Sequence, residues 1–198
     1  MMFINPEFSK LNVNLFADNF DKIRKDYLQF KDYDYFIDYS HEYDLTAAND
    51  DFLGFVPTLT QEYPWKVCPL IFNRKIIKRT PKQCQECFTT ELLLNQTSTP
   101  VLAVFSILEP EVELEPHSDG DERIDPRYIN SSVIKYHFSL DIPEDAESGL
   151  VVNNEIRTLS NGDLNLFDEH NIHYAYNRSK KRRGVLIASY IKDEVLNS

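Results

Sequence analysis

The sequence predicts an α+β protein, with helices and mixed structure over residues 1–98 and an antiparallel β sandwich or barrel over 99–192. A jelly roll is one such architecture, and the N-terminal helices are expected to pack on it. Three observations carry the prediction. From Val101 onward the chain reads as short strand-like runs, "VLAVFSIL", "SVIKYHFSLDI", "LVV", "DLNLF" and "RGVLIASYI". Turn signals such as Glu147-Ser148-Gly149 and Asn161-Gly162 separate them. Before Val101, Phe16, Phe20, Ile23, Tyr27 and Phe30 recur at helical spacing. A length of 198 residues with 42% hydrophobic and 13% aromatic content suffices for one good core, so a single domain, 1–198, is expected.

Taken in order, the Phe16–Phe30 pattern predicts an amphipathic helix. "DYDYFIDYS" then alternates Tyr33, Tyr35, Ile37 and Tyr39 against mostly acidic residues, as a half-buried strand does. "YDLTAANDDFLGF" reads as a loop. Thr80, Pro81 and Gln83 form an N-cap, a first-turn proline and a capping-box partner, which predicts a helix start. On that helix Cys84, Cys87, Phe88 and Leu92 share one face. A lone CxxC on an apolar stripe is read as buried structural cysteine rather than as a zinc or redox site.

A net charge of −11 makes nucleic acid and anionic membranes poor partners, and the basic run Lys180–Arg183 is too short to reverse this. The chain has no apolar run of membrane-spanning length and no signal-peptide pattern at "MMFINPEFSK". With an odd count of three cysteines, a cytoplasmic location is expected. The expected partner is a small-molecule or amino-acid/peptide substrate, with no nucleic acid and no membrane.

The strands carry polar residues that need a reason. Ser106 shares a face with Leu102, Val104 and Leu108, so it is expected to be buried and to need a hydrogen-bond partner. In "SVIKYHFSLDI", Val133, Lys135, His137, Ser139 and Asp141 share one face, against an apolar Ile134, Tyr136, Phe138, Leu140 and Ile142. Arg183 points with Val185, Ile187 and Ser189. Together these residues describe a polar cavity between two sheets, able to hold an anion.

Two histidine clusters complete the set. "LEPHSDGDERIDP" places His117 beside Asp119 and Asp121, and "FDEHNIHYAYN" supplies His170 and His173. His117, Asp119 and His173 make up the two-histidine, one-carboxylate set that suits non-haem Fe(II) and leaves positions open for a co-substrate and O2. Period-two spacing points His117 and Asp119 the same way.

On these motifs the sequence resembles the aspartyl/asparaginyl β-hydroxylase family of Fe(II)- and 2-oxoglutarate-dependent dioxygenases. The likeness is best from Val101 to Ile191, through "FSILEPEVELEPHSD", "KYHFSLDIP", "NGDLNLFDEHNIHYAYN" and "RRGVLIASYI", and looser through "NFDKIRKDYLQF" and "TPKQCQECFTTELL". The resemblance implies a double-stranded β-helix core and iron ligation by His117 and His173. It implies that Arg183 and Ser106 hold the distal carboxylate of 2-oxoglutarate, with His137 near the other carboxylate and Lys135 at a position where a co-substrate contact is common. The chain departs from the best-known members twice. Asp119 stands where they have glycine, and is read as the third ligand; Lys135 stands where arginine is common. His170 is assigned a place behind the ligands or at the surface, and Asp168 the role of orienting the turn or a ligand histidine. The resemblance leaves open whether the substrate is a peptidyl Asp or Asn, a free amino acid, a carrier-bound amino acid or an acyl chain. Contacts to it are expected from the 38–56 and 119–131 loops, where Asp50, Asp51, Arg123 and Arg127 sit. A cupin-type metal-binding protein or isomerase without 2-oxoglutarate, and a non-catalytic interaction module, are the competing functions.

Overall fold

The computed structural model describes residues 3–31, 37–38, 65–77, 82–119 and 132–196. Most of the expected 33–39 strand, the 43–55 loop, Thr80-Pro81, Asp121 and the four loop residues Asp50, Asp51, Arg123 and Arg127 lie outside these residues. The chain runs β1 (Phe3–Ile4), α1 (Asn14–Asp18), α2 (Phe20–Lys31), β2 (Ile37–Asp38), β3 (Trp65–Phe72), β4 (Lys75–Ile76), α3 (Lys82–Gln85) and α4 (Phe88–Leu94). It continues with β5 (Leu102–Leu108), β6 (Val112–Glu113), β7 (Val133–Asp141), β8 (Ser148–Val152) and β9 (Glu155–Thr158). The last elements are β10 (Leu164–Asp168), β11 (His173–Asn177), β12 (Arg183–Ile191) and α5 (Lys192–Val195). No helix among the described residues is long and apolar enough to cross a membrane.

All strand pairings are antiparallel. The larger sheet runs β1-β10-β7-β12-β5-β3-β2, with β4 beside β3, and the smaller runs β6-β11-β8-β9. This is a jelly-roll sandwich, the β architecture that the strand texture predicts. Strand alternation divides the larger sheet cleanly. Phe105 and Ile107 of β5, Tyr136 and Phe138 of β7, and Leu186 and Tyr190 of β12 turn outward into a core shared with Phe16, Ile23, Tyr27 and Phe30 of the helices. Their neighbours Val104, Val185 and Ile187 turn inward and meet Leu150 and Val152 of the smaller sheet. The polar residues of the inner face are therefore buried between the sheets.

Three local expectations are corrected, and one strand was not foreseen. The Phe16–Phe30 pattern is two helices rather than one, broken at Asn19, whose side-chain amide donates to the Leu15 carbonyl. The cysteine helix is also two. Cys87 leaves helical geometry (φ −79, ψ 157) and caps α4, its Sγ accepting from the Thr90 N–H. Cys84, on α3, meets Cys68 of β3 instead, and all three cysteines are free and buried. Ser148-Gly149 is strand, not turn. Gly149 pairs with Tyr176 across β8–β11, and a Cβ there would run into the tyrosine ring. Lastly, "WKVCPLIF" forms the eight-residue strand β3, which the sequence pattern did not signal.

Gly184, at the start of β12, abuts the Tyr27 ring of α2, and an added Cβ would overlap it. Gly184→Ala is expected to lower stability by ~1–3 kcal/mol through overpacking. A thermal melt checks this: an unchanged midpoint would mean that α2 does not press on the strand there.

Candidate metal and anion site

The site begins with backbone. His117 and His173 form an isolated antiparallel bridge, each N–H donating to the other's carbonyl at 3.0 and 2.7 Å. The Asp119 N–H donates to the Glu169 carbonyl at 3.1 Å, which fixes the segment that follows. The side chains are oriented by the chain itself. Nδ1 of His117 bonds the Glu115 carbonyl at 2.7 Å, and Nδ1 of His173 bonds the Asn171 carbonyl at 2.9 Å. Carbonyls only accept, so each Nδ1 carries a proton and each Nε2 is the ring nitrogen left to serve as a ligand atom. Both Nε2 atoms face the Asp119 carboxylate, at 3.8 Å from His117 and 3.4 Å from His173. Ligand atoms of the three residues all lie within 4.8 Å of one another. Two imidazole nitrogens and one carboxylate oxygen at this spacing are a donor set for a transition-metal dication, held by the carbonyl contacts that such ligands use.

The cation found there is the chain's own. The Lys135 ammonium bonds Asp119 Oδ2, lies 3.3 Å from His173 Nε2 and is 3.9 Å from Glu169 Oε2. Burial alone would push the Asp119 carboxyl up, but Lys135 and His173 hold it well below the usual carboxylate range. His173 is held below its ordinary value by burial and by the same ammonium.

Deeper in the pocket is an unbalanced charge. Arg183 is 2% exposed, and its Nη2 donates to His137 Nε2 at 2.7 Å. Burial pulls the guanidinium down to about 10. Arg183 Nε and His137 Nδ1 are buried without a hydrogen-bond partner among the described residues. His137 is held well below 6.5, first by burial and then by Arg183 and Lys135, and so stays neutral. Trp65 Nε1 donates to Ser106 Oγ at 2.6 Å. Trp65, Ser106, His117, Lys135, His137, His173 and Arg183 line one pocket with Leu108, Leu114, Leu150, Val185 and Ile187.

The structure thus brings together every residue singled out from the sequence for iron or co-substrate: Ser106, His117, Asp119, Lys135, His137, His173 and Arg183. Lys135 engages the carboxylate of the triad rather than standing with Arg183. Asp168 accepts from the His170 N–H and faces its exposed ring, so it orders the turn and not a ligand histidine. Two residues were missed. Trp65 lies in the unrecognised β3, and Glu169 looks like one more turn acid in "FDEH", yet it is 1% exposed and accepts from Ser189 Oγ at 3.0 Å.

The sequence model of the aspartyl/asparaginyl beta-hydroxylase family matches residues 17–193. Among curated proteins none matches. Similar solved structures include the plu4264 protein of Photorhabdus luminescens, at 14% identity over 47% of this chain and 64% of that one, TM-score 0.35. The Cupin_2 domain of an XRE family transcriptional regulator from Enterobacter cloacae matches at 15% identity over 46% of this chain and 81% of that one, TM-score 0.36. The Cnp3 cupin domain of Schizosaccharomyces pombe matches at 10% identity over 69% and 72%, TM-score 0.41.

Two outcomes follow from the buried charges. Arg183→Met removes an uncompensated cation, and is expected to raise stability by about 1 kcal/mol or more. A melting midpoint at or below that of the unsubstituted protein would mean that the guanidinium is already compensated. His137 is neutral when folded but takes a proton when unfolded below its ordinary 6.5, so the unfolded state binds more protons there and stability falls as pH drops. Melts between about pH 7 and 5 are expected to show that slope, and His137→Gln to flatten it; an unaltered slope would exclude His137 as its source.

Proposed function

The chain belongs to the aspartyl/asparaginyl beta-hydroxylase family, and on that footing we propose that it is an Fe(II)- and 2-oxoglutarate-dependent dioxygenase. In this proposal it hydroxylates an unactivated C–H of an amino acid or amino-acid residue of the Asp/Asn kind. The observation that carries it is Arg183, a buried guanidinium with no acid beside it among the described residues, on the wall of the pocket that holds the histidines. Keeping such a cation out of water is costly unless an anion joins it, and a carboxylate meets its fork with two parallel hydrogen bonds.

Charge balance over the whole pocket supports a dianion in particular. Among the described residues two acids, Asp119 and Glu169, match two cations, Lys135 and Arg183, in number, although both acids lie against Lys135 and neither meets Arg183. A dication added to that neutral set calls for a dianion, and 2-oxoglutarate is one. The overall reaction converts R–H, 2-oxoglutarate and O2 into R–OH, succinate and CO2. Iron, when bound by His117, Asp119 and His173, supplies the activation of dioxygen.

The remaining work belongs to the chain. Arg183 and Ser106 hold the distal carboxylate. Because Ser106 Oγ already accepts from Trp65, its own O–H is left to donate to that carboxylate. His137 Nδ1–H is a second donor, since Nε2 of that ring accepts from Arg183. Leu108, Leu114, Leu150, Val185 and Ile187 keep water from the reacting centre.

Anaerobic titration with Fe(II) and then 2-oxoglutarate is expected to produce a weak visible charge-transfer band. Iron bound without the band would favour a cupin-type metal protein that does not use 2-oxoglutarate, and no iron binding would favour a non-catalytic module. His117→Ala and His173→Ala are expected to abolish iron binding and succinate formation, while His170→Ala stays mild. Arg183→Ala is expected to raise KM for 2-oxoglutarate roughly 10- to 100-fold, against about 2- to 10-fold for Ser106→Ala, since a charge-assisted bond is worth more than a neutral one. Equal small effects would remove the clamp.

A further inference from the structure

The Lys135 ammonium occupies the space between Asp119 and His173 that a metal held by those residues needs. It is fixed from both sides of β7. Lys135 pairs across the sheet with Ser189 of β12 and with Phe167 of β10. Ser189 Oγ donates to Glu169, whose N–H donates to the Val133 carbonyl. Glu169 Oε2 therefore stands 3.9 Å from the ammonium, and its carboxylate is 1% exposed.

We propose that Lys135 is a resident cation that the metal must displace, and that Glu169 is the positioning residue that receives it. This rests on the assignment of His117, Asp119 and His173 as metal ligands. The ammonium engages His173 Nε2 and the facing Asp119 oxygen together, so a metal that uses those two atoms must displace it, and the repulsion between the two cations drives the exchange. On metal loading the ammonium leaves Asp119 and, staying protonated, closes the short gap to Glu169. Lysine suits this exchange: its charge is compact and sits on a four-carbon stem, whereas an arginine fork is held in one plane. The buried acid so lowers the cost of metal entry without touching the metal.

Calorimetric titration with Co(II), an ion that does not turn over, tests this on the full chain at one pH. Lys135→Met is expected to bind Co(II) about tenfold or more tightly than the unsubstituted protein, because the competitor is gone. Glu169→Gln is expected to bind about tenfold more weakly, because the displaced ammonium then has no acid to meet. The deciding protein is Lys135→Met/Glu169→Gln, which is expected to bind as tightly as Lys135→Met alone, since without the ammonium no receiving acid is needed. If the double substitution keeps the weakness of Glu169→Gln, Glu169 merely supports the fold around Asp119 and the exchange is overturned. Should Glu169→Gln not fold, Lys135→Met still decides, because an affinity no tighter than that of the unsubstituted protein overturns the competition. Failure of the unsubstituted protein to bind Co(II) or Fe(II) at all would instead overturn the ligand assignment, and this inference with it.

Discussion

The two backbone hydrogen bonds between His117 and His173 are the constraint from which the site follows. They join the stretch after β6 to the first residue of β11, so two candidate ligands far apart in sequence become cross-strand neighbours. Each imidazole is then tied to a carbonyl two residues before it, at Glu115 and Asn171. Ring position comes from the bridge, ring orientation from the carbonyls. Both are made by the chain's own backbone, the kind of support that a preorganised site requires.

Around that frame the sandwich manages charge. The inner face of the larger sheet carries Lys135, His137 and Arg183 on adjacent strands, a row that would be prohibitive in a purely structural core. The chain limits the cost in two ways. His137 stays neutral and accepts from Arg183, so one cation has a polar neighbour without adding a third charge. Lys135 is offset by Asp119 and, behind it, by Glu169. Only Arg183 is left without an acid among the described residues, and it is the charge that the proposed anionic co-substrate would meet.

Much of this was legible because strands alternate. A single period-two reading of "SVIKYHFSLDI" separates the faces of β7, and the inward positions of Ser106 and Arg183 follow from the same rule on β5 and β12. What failed was non-local. Pro69 inside "WKVCPLIF" argues against a central strand, yet β3 takes it at a register shift between Pro69 and Ile71 and still pairs with β5 along its length. Trp65 was lost from view with that strand. Glu169 was hidden because nothing in "FDEH" says which acid is buried; that is decided by Ser189 and Lys135, contributed by two other strands. The Cys87 break was hidden as well, because a thiol acting as an N-cap has no strong sequence signature.

The two departures from the family pattern noted in the sequence turn out to touch each other. Asp119, in place of glycine, adds a negative charge beside two imidazoles, and Lys135, in place of arginine, supplies the ammonium bonded to it. Either alone is awkward. A carboxylate without the lysine would lose the first of the charges that hold it ionised, and desolvation would raise its cost. A lysine without the carboxylate would lose its closest acid and keep Glu169 at 3.9 Å. Arginine at 135 would satisfy the acid in its metal-free state, but its planar fork and fixed bidentate geometry make it a poor group to displace. A compact ammonium gives Asp119 a partner that can be exchanged. On the proposed ligand assignment the pair is one adaptation: Asp119 would add a third ligand to the two histidines, and Lys135 is the cation that balances its charge until a metal takes over.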